Sequence, residues 1–429
     1  MDTSNQENQT GLVIGEPSYR LPDLIDNQLA QLVAERGAHS TTVKDPFGLV
    51  IIIGIVAIVS CLVLSSIDLK ESQQVWIGWL LVPLDVVLVL VLASPCVLAL
   101  LAWASFSTAR VQRAFRDRRY ESALRLLPEA LWSAGKLSKF SPSAHKQFQE
   151  LEHIRVQILI LESRVSEFEI SSRFMWTALE RRAVTEGVPN NFVIADNLAM
   201  SWFLQGKYAQ ASTLFAATMS DQLPLNDKLL LLNNLALCQI REKELDGAEA
   251  TLCTALQLLG DQAPNNWKFK SVQAALQTER GNFVAAENCL EDVRTIAKKE
   301  NAISEVEGEV TSLLARIRYK QGRLDESEQL YKKRIDSLSS SDHPPYLDLA
   351  EYLHVYAQVQ QALGREESAK NSLKRAQEYY QYYVEREKAT VAKIKEILQN
   401  PKKRLRTGAD LLIMTPPKPL VLSNGAIVG

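Results

Sequence analysis

The stretch Leu198-Ala199-Met200-Ser201-Trp202-Phe203-Leu204-Gln205-Gly206-Lys207-Tyr208-Ala209-Gln210-Ala211 sets the frame for most of the chain. It reads as the end of one helix, a turn at Gly206 and the start of a second helix. Two antiparallel helices approach closely only where small residues occupy the crossing, and Ala199 and Ala211 supply them. Gly206 ends the first helix, because a left-handed backbone costs glycine little. Tyr208, two positions on, fills the gap between the helices, and Phe215 continues the apolar face. The frame recurs at Asn234-Leu235-Ala236 with Leu245, Ala248 and Ala255-Leu256. It returns at Ala274, Gly281, Phe283, Ala286 and Leu290, at Leu314-Ala315, Gly322, Leu324, Ser327 and Tyr331, and at Ala357, Gly364, Ala369 and Leu373. Self-similarity of this kind marks a stack of helix pairs in which each pair buries its apolar face on the next.

The frame resembles the tetratricopeptide (TPR) repeat, over roughly Phe192 to Gln381. The family's usual unit is about 34 residues. Here successive alanines at the first small position stand about 37 to 42 residues apart. The extra length falls in polar turns such as Leu223-Pro224-Leu225-Asn226-Asp227, which lengthens loops without breaking the stack. The resemblance implies a concave groove, lined by the first helix of each pair, that takes a protein or peptide partner. The groove-facing positions it implies are Asp196, Met200, Phe203, Asn233, Leu237, Arg241, Lys268, Arg316, Tyr319, His354 and Gln358. The clamp by which some relatives hold a terminal carboxylate is not reproduced, since Asn233 has the right type but lacks its basic partners.

Outside this region the pattern weakens. A degenerate unit shows at Arg118, Tyr120, Ala123 and Ala130, with Pro128 expected to interrupt its second helix. The segment from Ser143 to Glu186 is helical in spacing and supplies one more degenerate pair, so the array is expected to hold five to seven pairs. Glu378 to Asn400 reads as a polar helix that shields the end of the stack. Beyond it, Lys402, Lys403, Arg404 and Arg406 form a basic tail read as solvated, with contact with anionic lipid as its sharper alternative, and Pro416, Pro417 and Pro419 favour extended backbone.

Ahead of the array lie two apolar runs. Phe47 to Ile67 holds no charged residue and covers roughly 30 Å as a helix, the hydrocarbon thickness of a bilayer. Val75 to Phe106 holds a single ionisable group, Asp85, with Pro83 and Pro95 expected to kink it. Two transmembrane helices joined by a short turn are the expected reading. Arg110, Arg113, Arg116, Arg118 and Arg119 follow the second run, against Asp68, Lys70 and Glu71 between the runs, so the positive-inside bias places both termini in the cytoplasm. Trp76, Trp79 and Trp103 fall where indoles favour the interface. Asp85 is read as structural or interfacial, with a membrane site as its sharper alternative.

The opening residues lack the basic start and cleavage site of a signal peptide. From Leu21 a short amphipathic helix is expected, with Pro22 in its first turn, Leu24, Ile25, Leu29, Leu32 and Val33 on one face, and Gly37 as its stop. Docking on the protein's own body is favoured over a partner-binding role.

Composition narrows the function. Of 429 residues, 46% are hydrophobic and 23% charged, and the net charge of -2 argues against nucleic acid as a partner. Cys61, Cys96, Cys238, Cys253 and Cys289 show no metal-ligand spacing and read as buried small residues. There is no phosphate-binding glycine loop, serine elbow or paired-His motif, so no catalytic, cofactor or metal residues are assigned and an enzyme is not expected. The expectation is an all-α chain: a polar segment at 1–46, a transmembrane hairpin at 47–106, degenerate repeats at 107–191, a TPR-like solenoid with its capping helix at 192–400, and a tail at 401–429. Its function is then a membrane-anchored scaffold or adaptor for protein partners. The alternatives are a sensor or transport accessory working through Asp85, and an array that serves self-association.

Overall fold

The computed structural model describes residues 22–40, 102–137, 142–186, 192–260, 266–340, 344–400, 405, 407–412, 420–421 and 427–428. Both apolar runs up to residue 101, with Asp85, Pro83 and Pro95, lie outside these residues, as do Lys402, Lys403, Arg404 and Arg406. Among the described residues no helix is long and apolar enough to cross a membrane.

Those residues form fifteen helices. After α1 (Asn27–Ser40) come seven pairs: α2 (102–116) with α3 (Tyr120–Leu137), α4 (Pro142–Leu161) with α5 (Val165–Glu186), α6 (Phe192–Leu204) with α7 (Tyr208–Thr218), and α8 (Leu225–Arg241) with α9 (Leu245–Leu259). They continue as α10 (Trp267–Glu279) with α11 (Phe283–Lys299), α12 (Ile303–Lys320) with α13 (Leu324–Ser339), and α14 (Tyr346–Ala362) with α15 (Glu366–Gln399). A 3-10 turn at Gly408–Leu411 and a two-residue antiparallel pair, Leu420–Val421 with Ile427–Val428, complete the described chain. The sequence shows no sign of that last pair.

Every pair turns on one residue in the left-handed region. Gly206, Gly281, Gly322 and Gly364 take that position with φ between 73° and 78°, as their spacing predicts. In the other three pairs it falls to Arg118, Ser163 and Lys243, at φ 57°, 52° and 65°. The backbone bonding is the same in all seven: the residue after the turn donates its N–H to the carbonyl five positions back, as in Arg119 to Ala114, Lys207 to Trp202 and Arg365 to Gln360, at 2.8 to 2.9 Å. This is the glycine-type helix end that satisfies the last carbonyls of a helix. The first two pairs share this turn with the later five, and the same backbone also joins α11 to α12, where Asn301 has φ 57° and Ala302 donates to Ala297 at 2.8 Å.

The small positions sit at the crossings. Ala199, Ala236, Ala274, Ala315 and Ala357 are fully buried, and so are Ala211, Ala248, Ala286, Ser327 and Ala369. Ser327, the one hydroxyl among them, donates to the carbonyl of Ala315 at 2.9 Å, so the polar atom enters the crossing already paired.

Several expectations are corrected. Pro128 does not interrupt its helix: α3 runs unbroken from Tyr120 to Leu137, with Leu124, Leu127 and Leu131 buried on both sides of the proline. Burial of three leucines, at about 1.5 to 3 kcal/mol each, outweighs the roughly 3 kcal/mol that a mid-helix proline costs. The polar helix at Glu378 to Asn400 is not a separate cap. It is the second half of α15, a single helix of 34 residues that runs back to the start of the array. There Val391, Ile394 and Leu398 join Val111, Leu151, Phe168 and Phe174 in one apolar cluster, together with Leu405, Ala409, Leu411 and Leu412 from the tail. Cys238 is buried and Cys289 half-buried, but Cys253 is exposed.

The array therefore closes on itself, and the closure is polar as well as apolar. Glu387 on α15, 1% exposed, accepts the Ser166 N–H at 2.8 Å and lies 3.1 Å from the Arg386 guanidinium. Ser166 is the second residue of α5, whose N–H has no partner within its own helix. A carboxylate from the last helix thus caps the N-terminus of a helix in the second pair. Arg386 also donates to the carbonyl of Ser163, the left-handed residue that precedes α5.

Helix α1 packs into the same place. Asp26 caps it, accepting the Leu29 N–H at 2.7 Å, and that bond first of all holds the Asp26 carboxyl below its ordinary value. Leu29 and Val33 are buried in the cluster formed by α2 to α5 and α15. Lys395 reaches Asp26 at 3.5 Å, Lys207 reaches Asp23 at 3.1 Å and Arg36 donates to the Asn400 carbonyl. Docking on the protein's own body is thus what the structure shows. Gly37 does not stop the helix, which runs on to Ser40, because its missing side chain lets α1 pass close to α5. A Cβ there would stand 2.8 Å from the Phe174 carbonyl oxygen.

Three expected outcomes follow from such positions. Arg118→Gly relieves a left-handed residue worth about 1 to 2 kcal/mol, against roughly 0.5 to 1 kcal/mol of added chain entropy, so its melting temperature should rise slightly. Gly37→Ala should melt lower, since forcing a backbone apart costs about 1 to 3 kcal/mol and outweighs the helix preference of alanine. Gly135→Ala, whose Cβ would meet the Phe148 ring at an ordinary 3.5 Å, should instead melt higher by about 1 kcal/mol of stability. Thermal denaturation of the three variants measures all of these.

Candidate functional site

First helices of neighbouring pairs pack together in much of the array, and charges on more distant pairs also act on one another. Arg241 at the end of α8 bears on Asp348 and Glu351 of α14, three pairs further on. Lys268 of α10 bears on His153 of α4, three pairs back.

The expected lining residues fall into two groups. Met200, Phe203, Leu237 and Tyr319 are half-buried and belong to the apolar packing between helices: Phe203 meets the edge of Tyr208 with ring centroids 5.3 Å apart, and Tyr319 packs beside Tyr331 and Val359. Asp196, Asn233, Arg241, Lys268, Arg316, His354 and Gln358 present polar atoms. Asp196 accepts a hydrogen bond from the Asn234 side chain at 3.1 Å, which links α6 to α8, while the Asn233 carbonyl oxygen beside it is buried with no partner. Lys268 is exposed, its ammonium 5.7 Å from the Trp267 ring centroid, and Arg241 is exposed at the C-terminal end of α8.

Arg316 is less available than its position suggests. It lies 2.7 Å from Glu279, which also receives Lys243 at 2.5 Å and Lys320 at 3.3 Å. Burial works to raise the Glu279 carboxyl, but Lys243, Arg316 and Lys320 together hold it below its ordinary value. One carboxylate thus ties α10 to the turn before α9 and to α12. Sequence reading missed this hub because Glu279 has no motif; its signal is three cations that converge only after folding.

Other acids are pushed the opposite way. Asp196 is raised to about 7, mainly by burial, with Asp227 adding and Asn234 opposing. Glu351, half-buried, is also raised to about 7 by burial and then by Asp348, against the pull of Arg241 and Arg316. Asp348 remains reachable by solvent on the groove wall, yet crowding by protein raises its carboxyl in the same direction. Neither Asp348 nor Glu351 was expected to matter from sequence. Among the described residues no group of three or more His, Cys, Asp or Glu is placed to hold a metal ion.

Residues 306–381, which span α12 to the first half of α15, match the tetratricopeptide repeat family. The pairs from α12 to α15 are thus similar to tetratricopeptide repeats, and the all-helical stack is consistent with an α-solenoid. No curated protein matches the sequence. Among solved structures, the chain is similar to BtubC (BKLC) from P. vanneervenii, at 15% identity over 51% of this chain and 90% of that one; the TM-score of 0.33 carries no argument.

The raised acids give a pH dependence. Asp196 moves from 3.8 to about 7 on folding, so between those values the native state keeps a proton that the unfolded chain has lost. Native stability accordingly falls as pH rises through that window and levels off above it. Asp196→Asn, which still accepts from Asn234, should melt above the wild type at about pH 8, with the gap narrowing towards about pH 5. Melts at both pH values check this, and an equal gap would assign the effect to packing instead.

Proposed function

We propose that the chain is a membrane-anchored scaffold, not an enzyme, that presents the groove of its repeat array to a protein partner on the cytoplasmic face. The supporting observation for the groove is its charge. Arg241 and Lys268 on one side, and Asp348 and Glu351 on the other, stand on first helices without ion-pair partners among the described residues. Such groups suit a peptide carrying both signs of charge, held by polar contacts along its length.

The anchor reading rests on the apolar runs and on what flanks them. Residues 27–40 and 102–116 form helices of one body: Leu29 and Val33 of α1 share a buried cluster with Val111 and Ala114 of α2. A chain that leaves a folded body and returns to it crosses a bilayer an even number of times. That supports two spans over one, and both flanks on the same side. The arginines after residue 109 favour the cytoplasm for that side.

Two measurements test the proposal. Alkaline washing of membranes should leave the full chain in the pellet; release into the wash would end the anchor reading. The detergent-solubilised chain, immobilised and exposed to membrane and cytosolic fractions, should retain a defined set of proteins. Arg241→Glu combined with Lys268→Glu should reduce that set about tenfold. Equal recovery by wild type and variant would remove the groove from the binding surface.

A further inference from the structure

Helix α2 carries an outward stripe that the fold of the array does not use. Its inner face, Ala104, Ser107, Thr108, Val111 and Ala114, is buried. Its outer face reads Trp103, Phe106, Arg110 and Arg113 at helical spacing, with Arg116 one turn further. Trp103 is 44% exposed and Phe106 55% exposed, and their rings lie 6.1 Å apart. Two large aromatic side chains left in water beside each other ask for a cover.

The cations above them say what kind. Arg110 folds back over the Phe106 ring at 5.7 Å, towards the start of the helix. Side chains on a helix lean towards its N-terminus, which favours the same direction for Arg113, while Arg116 borders a cleft with Glu150 and His153. Among the described residues neither Arg113 nor Arg116 has an ion-pair partner, whereas Arg119 is paired with Asp117 and Arg125 with Glu121. The start of α2 is also where the long apolar run ends. Aromatic rings at the hydrocarbon edge, with arginines reaching back from one to three turns above, match the depth profile of the interface and its phosphates.

We infer that this stripe is an anionic-lipid docking face, in which Arg110, Arg113 and Arg116 hold lipid phosphate groups and Trp103 and Phe106 seat the helix at the interface. It deepens the membrane reading above and rests on it for the direction of approach. The docked face fixes the height and tilt of the array over the bilayer, since α2 is itself the first helix of the first pair.

Native mass spectrometry of the full chain, released from nanodiscs of mixed phosphatidylglycerol and phosphatidylcholine, tests the inference by counting retained lipids. The wild type should retain phosphatidylglycerol in preference. Each arginine replaced by alanine should lower that preference about fivefold, as expected for a charge near an anionic surface. Replacing all three by lysine should keep most of it, which a merely structural role for the arginines would not. Equal retention of both lipids by the wild type, or unchanged preference in Arg110→Ala/Arg113→Ala/Arg116→Ala, would overturn the proposal. Failure of the anchor reads out separately: a chain released by alkali can be floated with phosphatidylglycerol vesicles, where Arg-dependent flotation supports the docking face and its absence refutes it.

Discussion

Close approach of helices at small side chains is the constraint on which the structure depends. Each of the five later pairs holds one small residue on each side of its crossing, fully buried, and any larger group would have to push two backbones apart. Once that distance is set, the connecting turn has little freedom. It must end one helix and begin the next within a few residues, which brings one residue per pair into the left-handed region. Where glycine is present the turn costs little; Arg118, Ser163 and Lys243 carry the same backbone at a cost that the packing on either side offsets. Local strain is thus subordinate to the crossing.

Charge does a different job from apolar burial here. Glu152 and Arg155, both fully buried and 2.8 Å apart, add little net stability relative to an apolar pair, but removal of either would leave an uncompensated charge. The same holds for Glu387 at the head of α5 and for Glu169, which receives Arg173, Trp202 and Gln205. Glu387 joins helices distant in sequence, while Arg155 and Glu169 reach across to a neighbouring helix. They penalise wrong docking more than they reward right docking, so the position of α15 and of α6 against α5 is specified and not merely permitted.

Much of this was legible in the residues. The alanine and glycine frame located the five later pairs, because steric limits at a crossing leave a pattern that survives in one sequence. The first two pairs were blurred, since their turn positions hold Arg118 and Ser163 and their lengths exceed the repeat. Pro128 misled because propensity is local while burial of Leu124, Leu127 and Leu131 is not. The return of α15 was invisible: its apolar positions Val391, Ile394 and Leu398 have helical spacing, but nothing in spacing names the helices they will meet. The electrostatics of the first helices were not legible, because Glu279, Asp348 and Glu351 acquire their character from residues one to three pairs away.

Closure of the array by α15 has an evolutionary consequence. Open stacks of this kind lengthen or shorten by duplication and loss of whole units, each change felt only by its neighbours. Here the last helix must arrive at Ser166 with Glu387 in register, so an added or deleted unit would carry it to the wrong azimuth. The number of units behaves like the circumference of a clasped bracelet, and variation is steered away from the count of links towards the polar loops between them.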